Sequence, residues 1–337
     1  MGSPSRVWTA RVAQNRPLWL LDILRRGAGQ VMLQNNPLTG LLFIAGIFWG
    51  SLAEGNAAVG AGAIVGLAVA TGTAILLSAE EVSLDQGLFG FNGILVGAAI
   101  PTFLVMSPAT WLLLIIGAAV STVAMLAIGH VTAMWGVPPL TSPFVLVSIA
   151  LLLAAYSFAH VPIRNLGPAA LPAIPHVIDP ELSVRFFLAA IANGIAQVFM
   201  IGNALTGWIF VVALLVNSRW AALLAVAGSG ASAIVALIAG AAPADISAGL
   251  YGFSPVLTAI ALGCIFFRPS WRVILFALLG TVFTVIAQGA VDALIAPFGV
   301  RAFTVAFVCV TWLFLLPKVD LQPHPHAPLK DRILTDR

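Results

Sequence analysis

The stretch Gly87-Leu88-Phe89-Gly90-Phe91-Asn92-Gly93-Ile94-Leu95-Val96-Gly97 is written a second time, 162 residues later, as Gly249-Leu250-Tyr251-Gly252-Phe253-Ser254-Pro255-Val256-Leu257-Thr258-Ala259. In each copy two aromatic residues lie two positions apart, among glycines, ahead of a long apolar run. Glycine lowers helix stability and lets backbones approach closely, so neither copy reads as an ordinary spanning helix from end to end. Each is expected to form a short or broken helix that turns backbone and an aromatic face toward a cavity. Irregular backbone at membrane depth survives only where it lines a cavity or is buried in protein.

The surroundings of both copies read as membrane. Of 337 residues, 61% are hydrophobic and 8% charged, too little polar surface to keep a soluble domain in solution. A crossing needs about 20 apolar residues. Candidate runs fall near 37–53, 57–78, 88–106, 109–129 and 140–161, then near 183–200, 203–216, 219–242, 249–268, 271–296 and 302–317. The chain is therefore expected to divide into a basic N-terminal segment (1–17), a first unit (18–161), a proline-rich linker (162–182), a second unit (183–317) and a polar tail (318–337). Arg6, Arg11 and Arg16 are not followed by the apolar core and cleavage-like site of a removable leader, so none is expected. Cys264 and Cys309 lie inside apolar runs and read as small core residues. The net charge of +3 comes mostly from the chain ends and gives no reason to expect nucleic acid as a partner.

Three blocks recur in the same order. Gln30-Val31, followed by Asn36-Pro37-Leu38-Thr39-Gly40, is answered 167 residues on by Gln197-Val198 and Asn203-Ala204-Leu205-Thr206-Gly207. The aromatic block follows at 162. Trp135-Gly136-Val137-Pro138-Pro139-Leu140-Thr141 is answered at 163 by Phe298-Gly299-Val300-Arg301-Ala302-Phe303-Thr304. Matches held so closely in register imply a duplicated unit. If each half crosses five times, the halves are inverted, and all Lys and Arg except Arg164, Arg185 and Arg301 then fall on the cytoplasmic side with both termini. Inverted units with a broken element each form a transport architecture, its solute site at their interface near the midplane.

The matched positions offer Gln30 and Gln197, Thr141 and Thr304, Phe91 and Phe253, a neutral, hydrogen-bonding, aromatic-walled lining suited to a small uncharged polar solute. No charged side chain repeats within the blocks, as a path for bare ions would require. Each residue also has a plain structural reading: packing for the phenylalanines, a helical carbonyl partner for the threonines, and interhelical bonding for the glutamines.

Together the paired Gln-Val and Asn-x-Leu-Thr-Gly blocks, the paired Gly-Leu-(Phe/Tyr)-Gly-Phe blocks and Pro139-Leu140-Thr141-Ser142-Pro143-Phe144 resemble the urea transporter family, over about residues 18–317. The resemblance implies an all-α polytopic membrane protein of two inverted-topology repeats, each with five transmembrane helices and one re-entrant pore helix. It also implies a homotrimer embedded in lipid, a pore in each protomer, passive channel-like conduction of urea, and no cofactor or metal. The membrane would be a plasma membrane or a bacterial inner membrane. By resemblance the walls of a narrow slot map to Leu33, Phe91 and Leu95 in the first half and to Val198, Phe253 and Leu257 in the second. Thr141 and Thr304 map to its middle, and Gln30 and Gln197 to its ends. Urea is planar and neutral with four N–H donors, and carbonyls at half-helix C-terminal ends are expected to replace its lost water. Leu33 departs from the family's frequent aromatic, Ala204 from its proline, and Arg301–Phe307 lacks the prolines of the first threonine block.

The rival reading is an ion-coupled secondary transporter for a small polar solute, for which Asp245 and Asp292 are the available acids, and pores for amides, ammonia or water remain open as well. The paired Asn-Pro-Ala signature of water channels is absent. Gly228-Ser229-Gly230 resembles the nucleophile setting of an intramembrane serine protease, but no histidine lies in a later span to activate it, so no enzyme is expected.

Overall fold

The computed structural model describes residues 15–172, 182–319 and 321. Most of the expected basic N-terminal segment, the centre of the linker and nearly all of the tail lie outside the described residues. Among those described, the fold is all-helical: α1 Arg16–Gln30, α2 Pro37–Ala53, α3 Ala57–Leu76, α4 Glu81–Asp85, α5 Gly90–Phe103, α6 Pro108–Ala133, α7 Ser142–Ala155, α8 Val184–Ala196, α9 Ala204–Asn217, α10 Arg219–Ile238, α11 Pro243–Ser247, α12 Phe253–Ile260, α13 Trp271–Ile295 and α14 Val305–Leu315.

The helix starts follow from local chemistry. Asn36 caps α2 through bonds from the Leu38 and Thr39 N–H groups, with Pro37 pre-set for the first turn. Asn203 caps α9 through Thr206 N although alanine has replaced that proline. Ser107 and Ser270 cap α6 and α13 in the same manner.

Among the described residues, four helical runs are long and apolar enough to cross a membrane: Ala57–Leu76, Pro108–Ala133, Arg219–Ile238 and Trp271–Phe298. Val184–Phe199 and Ala204–Asn217 pass the same test only together, across a 76° bend. The other expected runs form shorter apolar helices: α2, α5, α7, α14 and the Phe253–Ile265 run. The two aromatic blocks open α5 and α12, and both helices are sealed in protein: every residue of α5 except Thr102, and every residue of α12 except Phe253, is buried. Glycine makes the contact between α3 and α5 possible, since a Cβ on Gly66 would strike the Gly93 carbonyl and one on Gly97 the Gly62 carbonyl.

The backbone carries the same departures at the sequence offsets. Left-handed φ values fall at Leu33 and Met200, Ser78 and Gly240, Gly87 and Gly249, Gly136 and Gly299, and Leu140 and Phe303. The single step in offset from 162 to 163 has a local cause. Ala261–Ile265 forms a π-turn closed by Phe266 N on Ala261 O at 2.9 Å, and such a turn holds one residue more than an α-turn.

Contacts between the halves are reciprocal. Thr39 Oγ1 on α2 donates to Ala213 O on α9 at 2.9 Å, and Thr206 Oγ1 on α9 donates to Gly46 O on α2 at 3.3 Å. Phe43 meets its own counterpart Phe210 edge-on, with ring centroids 5.1 Å apart. These rings, with Phe199, are fully buried at the centre of the largest apolar core.

Candidate functional site

Two unusual turns bring the expected threonines together. Leu140 and Phe303 adopt φ of 54° and 48°, a conformation that costs a non-glycine residue about 1–2 kcal/mol and persists only where packing enforces it. Phe303 is held edge-on by Phe144 at 5.0 Å and Phe103 at 5.7 Å. Each turn delivers the next residue to a helix start, Thr141 at the head of α7 and Thr304 at the head of α14. Their hydroxyls share a hydrogen bond of 2.7 Å, and the residues are 2% and 3% exposed. Both threonines therefore bond each other across the halves, and not merely a carbonyl of their own helices.

A cavity of about 570 Å³ reaches this pair from the second-half side. Of the ten expected residues it is lined by Gln197, Val198, Phe253 and Thr304. Its buried wall is neutral and largely aromatic, with Phe103, Phe144 and Phe303 beside Val198 and Thr304. Its charged residues, Glu54, Asp245, Asp292 and Arg301, are exposed. Partial desolvation of its carboxyl on the cavity wall raises Glu54 above its ordinary value, with the Gly202 N–H bond opposing the shift.

Gln30, Leu33, Phe91, Leu95, Thr141 and Leu257 do not line this cavity. Phe91, Leu95 and Leu257 are buried in the central core with Val198, and Leu33 and Phe253 pack against it half-buried. Gln30 donates from Nε2 to Gln86 O at 2.9 Å, and Gln197 from Nε2 to Ala248 O at 3.2 Å. In both halves the glutamine is thus tied to the residue just ahead of the glycine that opens the aromatic block, which meets the interhelical-bonding reading.

Helix ends of both polarities meet the expected residues. The elements that carry Phe91, Thr141, Phe253 and Thr304 bring helix N-terminal ends to them, whereas α1 and α8 bring C-terminal ends to Gln30 and Leu33 and to Gln197 and Val198. Asn92 Oδ1 accepts from Phe144 N at 3.1 Å, so the first turns of α5 and α7 adjoin. N-terminal ends carry partial positive charge, which favours a carbonyl oxygen and opposes a cation. Ser229 is 1% exposed and donates to Ile191 O at 3.0 Å, a structural bond between α10 and α8.

The cavity wall also holds Phe103, Phe144, Phe303 and Gln288, which the sequence reading does not place there, and Asp292, which it names only for the ion-coupled rival. Phe144 and Phe303 sit inside the threonine blocks, and Gln288 and Asp292 stand four apart on one face of an apolar helix, a legible signal.

Comparison with known proteins bears on the family of the chain. A family model described as urea transporter matches residues 21–319. The rat and mouse proteins named urea transporter 1 are each 31% identical over 307 residues, covering 89% of this chain and 77% of theirs. The sheep protein of that name is 30% identical over 306 residues, with the same coverage. On the extent of that match the chain belongs to the urea transporter family.

Proposed function

We propose that this protein conducts urea passively, in the manner of a channel, through a narrow uncharged path where two inverted halves meet. Family membership makes it an integral membrane transport protein and not an enzyme. The observation that carries the proposal is the buried Thr141–Thr304 pair, at 2.7 Å, closing a cavity whose buried wall is neutral and aromatic.

The duplicated-unit reading draws support from the paired left-handed residues and from the reciprocal Thr39 and Thr206 bonds. A contact in which i meets j′ and i′ meets j is the signature of two-fold-related surfaces. With five crossings and one re-entrant element per half, that relation inverts one half against the other. α5 and α12 are the candidates for the re-entrant elements, being short and buried along their length.

Urea leaving water loses several hydrogen bonds, each costly in a dry site. In the proposed path the threonine hydroxyls accept or donate in turn, and flat walls formed by Phe91, Leu95, Phe253, Leu257, Val198 and Leu33 admit a slab-shaped molecule. Gln30 and Gln197 stand at the two ends. Helix N-termini at the narrow middle repel sodium and protonated species. The remaining expectations are a homotrimer with one pore per protomer, and cytoplasmic termini in a plasma or bacterial inner membrane.

The ion-coupled alternative keeps one observation, since Asp245 and Asp292 both line the cavity. Both are exposed, whereas the threonine pair is buried. Urea influx into proteoliposomes separates the readings. Flux down its own gradient, indifferent to imposed proton and sodium gradients, is expected. Uphill accumulation driven by either gradient would establish coupling instead.

A further inference from the structure

Gln288 on α13 is 2% exposed, yet it lines the cavity. Its Oε1 accepts a 2.9 Å bond from Ser254 Oγ, and its Nε2 lies 3.1 Å from both carboxylate oxygens of Asp292. An ionised carboxylate only accepts hydrogen bonds, so the amide is oriented from both ends. Ser254 is fully buried and adjoins Phe253 in the aromatic block. One turn beyond Gln288, Asp292 lies exposed on the cavity wall.

The corresponding positions of the first half are Asn92, Met125 and Gly129. Asn92 Nδ2 stands 3.6 Å from Met125 Sδ, so the same two sites meet in both halves. Only the second half continues from them to a carboxylate. The two ends of the proposed path are therefore chemically unlike.

We propose that Asp292 is a specificity-determining residue on the second-half side, where its carboxylate accepts the N–H donors of an entering amide. Gln288 is the positioning residue that holds it against the wall and couples it to Ser254. The inference rests on the conduction reading above. An acceptor already held by a buried partner loses little freedom on binding, and a charged acceptor bonds N–H groups more strongly than a neutral one. Asp245, Glu54 and Arg301 share the wall and set the background charge that Asp292 acts against. Guanidinium, planar and rich in N–H donors but positively charged, is drawn to the same carboxylate and turned back at the helix N-termini, so it acts as a blocker from this side.

The test is urea influx into proteoliposomes, with guanidinium as competitor, for wild type, Asp292→Asn, Asp292→Glu and Gln288→Met. Asp292→Asn is expected to raise the guanidinium concentration for half inhibition by about fivefold, the difference between a charged and a neutral acceptor, and to raise the half-saturating urea concentration while largely keeping the maximal flux. Asp292→Glu retains the block, and Gln288→Met shifts it in the same direction as Asp292→Asn by a smaller factor. Guanidinium block and half-saturation unchanged in both Asp292→Asn and Gln288→Met, with wild type conducting urea, overturns this inference and leaves the conduction reading intact. Wild-type vesicles no more permeable to urea than protein-free ones overturn both.

Discussion

Thr141→Val removes one hydroxyl from the driest point of the proposed path and keeps the shape of the side chain. The two threonines are 2% and 3% exposed with their oxygens 2.7 Å apart, so the substitution leaves the Thr304 hydroxyl without its partner. Stranding a buried polar group costs about 1–3 kcal/mol of stability, whereas replacing both partners with apolar groups of like shape is close to neutral. Thr141→Val and Thr304→Val should each lower the midpoint of thermal unfolding in detergent, and the double variant should recover most of the loss. Flux should follow the opposite pattern. A neutral hydrogen bond offered to the passing solute is worth about 0.5–1.5 kcal/mol net, so each hydroxyl lost slows urea by about two- to tenfold and the double variant is slowest. Stopped-flow light scattering of proteoliposomes reads the flux. A double variant that conducts at the wild-type rate, or that is less stable than either single, refutes the reasoning.

Other perturbations read separate parts of the structure. Phe253→Ala widens the cavity wall, and Phe91→Ala opens the matching position; both should raise acetamide permeability relative to urea in the same vesicles. A Cβ on Gly40 would strike the Arg25 carbonyl and one on Gly207 the Ala192 carbonyl, the same clash in each half. Gly40→Ala and Gly207→Ala should each cost about 1–3 kcal/mol by overpacking, measured as thermal midpoints, while Gly72→Ala, with nothing within 4 Å, should be close to silent. Thr39→Val and Thr206→Val remove reciprocal bonds between α2 and α9, and comparable losses of about 1 kcal/mol are expected from the two.

Much of this arrangement was legible in the sequence because register is a one-dimensional property. The offsets of 167, 162 and 163 fixed which residues correspond, and the backbone honours them down to the left-handed φ shared by Leu33 and Met200. The same register marked Thr141 and Thr304 as counterparts, whereas their direct hydrogen bond across the halves is visible only in the folded chain. The Gly-aromatic-Gly blocks, which stand ahead of long apolar runs, begin α5 and α12, but that the first turn of α5 adjoins that of α7 is set only in the folded chain. Which apolar runs cross and which stay short was less legible, since hydropathy does not distinguish a long helix such as α6 from a shorter one wrapped in protein such as α5. The charged side of the cavity was only partly legible: Asp245 and Asp292 stand out as acids in apolar surroundings, but that they share one wall with Glu54 and Arg301 is seen only in the folded chain.

The claim on which the rest depends is that solute passes through the cavity that ends at the threonine pair. Val198 lines that cavity and is 3% exposed, so Val198→Cys offers a thiol on its wall once the free Cys264 and Cys309 are replaced by alanine. Urea flux of this variant, measured before and after methanethiosulfonate labelling, is predicted to fall to the level of protein-free vesicles, with urea slowing the reaction. Complete labelling that leaves urea flux unchanged would contradict the account.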